Sequence, residues 1–133
     1  MDEYSYPVLL CEYLNNMDTD TVFVPETWRG GAACVMLSGG EDTEREYIDG
    51  SARIKVPFEI RLRCSHKSVR ERLDAVDFFT AVNAYVRDNP VPLDGGEYGR
   101  VSPVGGTFKS AIYENGEEEY RAAYSFGYYR KAQ

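Results

Sequence analysis

The sequence predicts an α+β fold in which a mainly antiparallel sheet carries two helices packed on one face, and three observations lead there. Apolar residues alternate with polar ones over residues 51–64, the period changes to that of a helix over residues 68–88, and alternation returns in a tyrosine-rich closing stretch. Strands with one apolar side and helices with one apolar stripe satisfy each other by stacking in layers.

Taken in order, Val8, Leu10, Cys11, Leu14 and Met17 recur at three- and four-residue steps behind Pro7, which suits a first helical turn, so residues 4–17 read as an amphipathic helix. Residues 21–25 make a short strand, and residues 32–37, apolar and bounded by glycines, a buried one. A polar loop over residues 38–46 leads to Tyr47-Ile48, and Asp49-Gly50 reads as a two-residue hairpin turn. The next strand puts Ile54, Val56, Phe58, Ile60, Leu62 and Cys64 on one face and Arg53, Lys55, Pro57, Glu59, Arg61 and Arg63 on the other. Proline cannot donate to a ladder, so the strand is expected to lie at an edge or to bulge at Pro57.

Val69, Leu73, Val76, Phe79, Val82 and Val86 then follow helical spacing, opened by a Ser68/Glu71 capping box and stopped by Asn89-Pro90. Residues 100–104 and 107–113 read as strands. Asn115-Gly116 turns the chain into a last strand with Tyr120, Ala122, Tyr124, Phe126 and Tyr128 on its core side. The expected order is α-β-β-α-β-β, in one domain spanning residues 1–133.

At 133 residues, with 43% hydrophobic and 14% aromatic side chains, the chain has enough apolar material to fold without staples. Cys11, Cys34 and Cys64 are too few, too scattered and odd in number for a disulfide framework or a zinc site, and read as reduced core thiols. No stretch approaches the roughly 20 apolar residues of a membrane span, and the first residues lack a signal-peptide layout, so a cytoplasmic protein is expected. The net charge of −7 divides as −9 over residues 1–50, +3 over 51–90 and −1 over the remainder. Such acidity argues against gripping nucleic acid over the whole surface, since phosphates demand clustered Lys and Arg.

Motifs of catalysis are not found. The Gly-Gly pairs beginning at Gly30, Gly39, Gly95 and Gly105 have neither dinucleotide-fingerprint nor P-loop spacing. His66 stands alone, and Cys64 beside it falls on the apolar face of its strand, away from any nucleophilic task. Glu41, Asp42, Glu44 and Glu46 crowd one loop without the spacing of a calcium site, which suits a solvated loop or a partner-binding arm. No cofactor or metal is expected. Arg53, Lys55, Arg61 and Arg63 form a basic stripe in an acidic protein, suited either to a solvated face or to the acidic first third of a neighbouring copy in a head-to-tail ring. Nucleic acid is a weaker partner for that stripe, because no aromatic residue alternates with these basic residues on that face, as stacking platforms require. Trp28 and Tyr129 are the large rings best placed for an interface.

A strand ending in Gly-Gly, a loop into Tyr47-Ile-Asp-Gly50, the strand Val56-Pro-Phe-Glu-Ile-Arg-Leu-Arg63, a long helix and the Tyr113-Glu-Asn-Gly-Glu117 hairpin with an aromatic last strand resemble the tail-terminator and minor capsid proteins of long-tailed bacteriophages. The resemblance runs from about Val8 to Tyr128 and rests on pattern and spacing. It implies a structural, non-enzymatic protein of the virion, assembled in the host cytoplasm as a ring of usually six copies. Such a ring caps the tail tube, ends its polymerisation and offers the joining surface for the head connector. The implied partners are a further copy of the chain, the tail tube protein and the head-tail connector protein, with DNA passing through an acidic lumen without sequence-specific binding. A rival class is a small intracellular ligand-binding domain or enzyme with a cleft between sheet and helices that uses Cys34, Glu59 or His66. An adaptor in another complex would share the interface features.

Overall fold

The structure, a computed structural model, describes residues 5–19, 21–26, 33–65, 69–112 and 117–132. In chain order its elements are helix α1 (Ser5–Leu14) and strands β1 (Phe23–Pro25), β2 (Ala33–Leu37), β3 (Asp42–Glu46) and β4 (Ala52–Ser65). Helix α2 (Val69–Asp88) follows, then β5 (Val91–Pro92), a 3₁₀ turn at Asp94–Gly96, β6 (Tyr98–Pro103), β7 (Phe108–Ile112) and β8 (Glu117–Arg130). The fold is α+β. Seven strands curl into a half-barrel, and the two-residue β5 extends the β6 edge. The only parallel ladder among the described residues joins β1 to β2.

Two long strands form the middle of this sheet. β4 and β8 pair from Ala52↔Arg130 to Ser65↔Glu117 without a register shift. Cross-strand partners share a face, so Ile54, Val56, Phe58 and Ile60 meet Tyr128, Phe126, Tyr124 and Ala122 on the core side, where all are buried. Phe58 and Tyr124 stack with ring centroids 5.5 Å apart, and Phe126 stacks on Tyr128 at 5.4 Å. Such pairs add about 0.5–1.5 kcal/mol each beyond their burial. Tyr6 and Leu10 from α1 and Phe79, Val82 and Val86 from α2 complete one core with them.

The expected order α-β-β-α-β-β undercounts the strands: four precede α2 and four follow it. The largest correction is Asp42–Glu46, expected as a loop. It is a strand whose five residues are all exposed. An edge strand needs only a partner's backbone, and β4 supplies one, so the polar run forms β3 without burying anything.

Pro57 is likewise neither at the sheet edge nor at a bulge of its own strand. It sits mid-strand in β4, opposite Ser125 of β8, at the point where the other flank of β4 passes from β2 to β3. Between the pairs Leu37↔Phe58 and Asp42↔Lys55, residues 38–41 loop outward opposite Val56 and Pro57. The Pro57 carbonyl accepts from Ser38 N–H at 3.1 Å, so the side lacking a donor faces this interruption and no ladder bond is lost.

The hairpin turn is also displaced by one residue from expectation. Gly50 N–H donates to the Tyr47 carbonyl at 3.0 Å and Tyr47 N–H to the Ser51 carbonyl at 2.9 Å, with Gly50 at φ +88°. Ile48 and Asp49 are therefore the central turn residues, and Gly50 takes the left-handed bulge position that follows.

Helix faces differ from the sequence stripes by single positions. Val8 and Val76 point to solvent, 48% and 47% exposed, while Tyr6 and Tyr13 on α1 and Ala75 on α2 turn inward. A tyrosine can bury its ring when its hydroxyl finds a partner. Tyr13 donates to the Asn89 carbonyl, and Tyr6 donates to Glu41 while accepting from Tyr128 at 2.7 Å. The Ser68 half of the capping box and the Asn115-Gly116 turn lie outside the described residues.

Two consequences follow from the core. A Cβ on Gly99 would lie 2.4 Å from Cε1 of the fully buried Phe126 ring, which Tyr6 and Tyr128 hold in place. Gly99→Ala is expected to destabilise the protein by about 1–3 kcal/mol in a urea titration. Burial also pushes the Cys11 thiol and the Tyr13 phenol each up to about 12, and raises Tyr6 and Tyr124 as well. In the unfolded chain these groups ionise near 9.0 for the thiol and 10.0 for the phenols, so there the unfolded state releases protons that the folded state keeps. Stability is then level below about pH 9 and falls as pH rises beyond it, each such group adding roughly 1.4 kcal/mol per pH unit to the slope. Urea midpoints unchanged between pH 8 and pH 11 would contradict this.

Candidate functional site

The turn between β3 and β4 and the end of β8 meet at one end of the sheet. Type and register of the turn decide what is displayed there. With Ile48 at the first central position, its side chain is fully exposed. The Asp49 carboxylate accepts from Ser51 N–H at 3.0 Å and from Ser51 Oγ at 2.5 Å, bonds that hold it below the usual carboxylate range and fasten the turn. Tyr47, Ile48, Asp49, Ser51 and Tyr129 line an open hollow of about 510 Å³. Tyr47 and Tyr129 lean together with centroids 6.1 Å apart, 36% and 38% exposed.

On the outer face beside this hollow, Arg53 lies directly opposite Arg45 on β3 and opposite Tyr129 on β8. The Arg45 guanidinium sits 5.6 Å from the centre of the Tyr47 ring, a cation–π contact. Two exposed guanidiniums in directly opposed positions cost stability. No ion pair relieves Arg53 among the described residues. Such a feature points to a use outside the fold.

The other residues of the basic stripe are matched within the chain. Lys55 pairs with Glu44 at 3.5 Å, Arg63 Nε lies 3.8 Å from Glu117, and Arg61 bonds Glu59 at 3.0 Å. Arg61 faces Arg121 across the ladder, and Glu59 resolves that repulsion by also reaching Arg121 at 3.4 Å. Of the acids, Glu41 is drawn into the fold: it takes the Tyr6 hydroxyl and lies 3.6 Å from Arg130. Asp42 and Glu46 stay exposed on β3, opposite Lys55 and Ala52. Trp28 lies outside the described residues.

Sequence reasoning along one strand missed Arg45 and Tyr47, because their relation to Arg53 is created by pairing between strands. The sign was present: Arg45 and Tyr47 stand two residues apart before a hairpin turn, and hairpin pairing sets such residues beside those that follow it. The objection that no aromatic residue accompanies the bases is corrected in the same way, since Tyr129 comes from β8.

Cys34 and Glu59, the described residues expected for a sheet–helix cleft, share a face of the sheet. Cys34 lies opposite Arg61 and Glu59 opposite Met36, so both lie on the face opposite to the Val35, Phe58 and Ile60 row. The Cys34 thiol is buried, and burial raises its pKa against the lowering effect of Arg61, the reverse of an activated nucleophile. His66 lies outside the described residues. Among the described residues no group of three His, Cys, Asp or Glu side chains is placed to hold a metal ion, and no helix is long and apolar enough to cross a membrane.

The chain matches no protein-family model and no curated protein sequence.

Glu59 generates a prediction of its own. Glu59→Ala leaves Arg61 and Arg121 facing each other, at an expected cost of about 1–3 kcal/mol. That cost shrinks in 1 M salt, where the Debye length falls to about 3 Å. A loss equal at low and high salt would show that the residue acts through packing instead.

Proposed function

We propose that the chain is a structural subunit of a bacteriophage tail, forming a ring of six copies on the finished tail tube. The ring ends tube polymerisation and presents the joining surface for the head connector. What carries this reading is the end of the sheet: a fully exposed isoleucine between two half-exposed tyrosines, beside an arginine pair that weakens the isolated fold. Apolar surface held at the tip of a fastened turn fits contact with another protein. The pattern and spacing of the Val56–Arg63 strand and the aromatic last strand, on which the resemblance to tail terminators rests, support the same reading.

In this reading the helices cover one face of the sheet, and the other face and the hairpin end meet neighbours. β3 favours an unlike partner surface over its own copy. Two β3 edges paired in reverse would set Asp42 against Glu46 and Glu44 against itself, and like charges directly opposite repel. Contacts between unlike surfaces close into rings when the rotation from copy to copy completes a full turn. The negative charge of residues 1–50 gives a channel wall past which DNA slides without sticking.

Light scattering over a concentration series tests the proposal. A species of six times the chain mass is expected, with Ile48→Asp shifting its assembly midpoint at least tenfold higher while far-UV circular dichroism stays unchanged. A single-chain mass at every concentration, and also in the presence of tail tubes, would overturn it.

A further inference from the structure

The hairpin end offers two arginines and an apolar tip, and the stretch of helix α2 toward the other end of the sheet offers their counterpart. β4 has fourteen residues, which at 3.3 Å each separate its ends by roughly 45 Å. Helix α2 starts beyond the far end and comes back over the core, where Asn83 accepts from the Tyr124 hydroxyl at 2.6 Å. Tyr124 is paired with Phe58, halfway along β4. Asp74, Val76 and Asp77 precede Asn83 by six to nine residues, which at 1.5 Å per residue puts them about 9–14 Å nearer the far end.

All three are exposed, Val76 by 47%. Neither aspartate has an ion-pair partner among the described residues. One end thus carries an apolar tip with two positive charges beside it, and the helix surface toward the other carries Asp74 and Asp77 side by side, one turn apart, with the exposed Val76 on the helix flank. Surfaces that are complementary to each other, not to themselves, and that stand apart on a protomer join copies head to tail.

We propose that the Arg45, Ile48 and Arg53 surface of one copy docks on the Asp74, Val76 and Asp77 surface of the next. The inference rests on the ring reading and names its contact. Docking also explains the opposed arginines: a repulsion carried by the single chain is relieved once an aspartate of the neighbour approaches.

Paired charge reversals test it. Arg45→Asp with Arg53→Asp reverses one surface, and Asp74→Arg with Asp77→Arg reverses the other. Each double variant alone is expected to be a monomer, and a 1:1 mixture of the two to regain the wild-type mass with the copies alternating, since both contacts between unlike variants join opposite charges. A chain with all four reversals should regain the wild-type mass. Arg53→Asp alone should also raise the Tm of the monomer, because it converts a like-charged pair into an unlike one. Double variants that assemble like the wild type, or a mixture that stays at the single-chain mass, would overturn this contact and leave the ring reading standing. A wild-type chain that is single at every concentration and on tail tubes would overturn both.

Discussion

The rest of the molecule depends on the register between β4 and β8. These two strands share fourteen pairs, and neither is an edge, so every other strand except β1 and β5 joins the sheet through one of them. Their pairing creates both faces at once. On the core side it stacks Phe58 on Tyr124 and aligns Val56 with Phe126; on the outer side it aligns Arg53 with Tyr129 and Arg61 with Arg121. A slip by one residue would drive the arginines into the core and the aromatics into water. The buried aromatic rows thereby hold the charged rows in place, although the two sets never touch.

This coupling explains how much was legible in the sequence. Alternation along single strands was strong enough to place the buried rows of β4 and β8, because there apolar identity and burial coincide. It failed wherever another strand made the decision. β3 contains no apolar residue and exists as a strand through the backbone of β4. Pro57 looked like an edge marker, yet it lies where the neighbours on one flank change, a fact visible only once both partners are known. Val8 and Val76 were read inward from spacing alone, whereas tyrosines with satisfied hydroxyls and a small alanine took the buried positions.

The candidate surface shows the same division. Its members come from β3, the turn and β8, and Arg45, Arg53 and Tyr129 become neighbours only by pairing. Most of the basic stripe that stood out in the sequence serves the fold itself, through Glu44, Glu59 and Glu117. What remains for a partner is the part the fold does not neutralise. An unmatched charge in a chain that matches its others so thoroughly carries more information than the stripe as a whole.

The change of neighbours at Pro57 divides the sheet mechanically. On one side of it β2 is buried and covered; on the other β3 buries no side chain and is bonded to the body through β4 alone. Regions with few buried contacts and solvent-exposed ladder bonds open first in the native state. The β3 arm and its turn therefore form a low-stability unit that breathes while the β4–β8 spine stays closed, with the interruption over residues 38–41 as the seam. In the proposed ring, an arm built this way would adjust its pitch to a neighbour without disturbing the core, the tolerance that closing a circle of identical subunits demands.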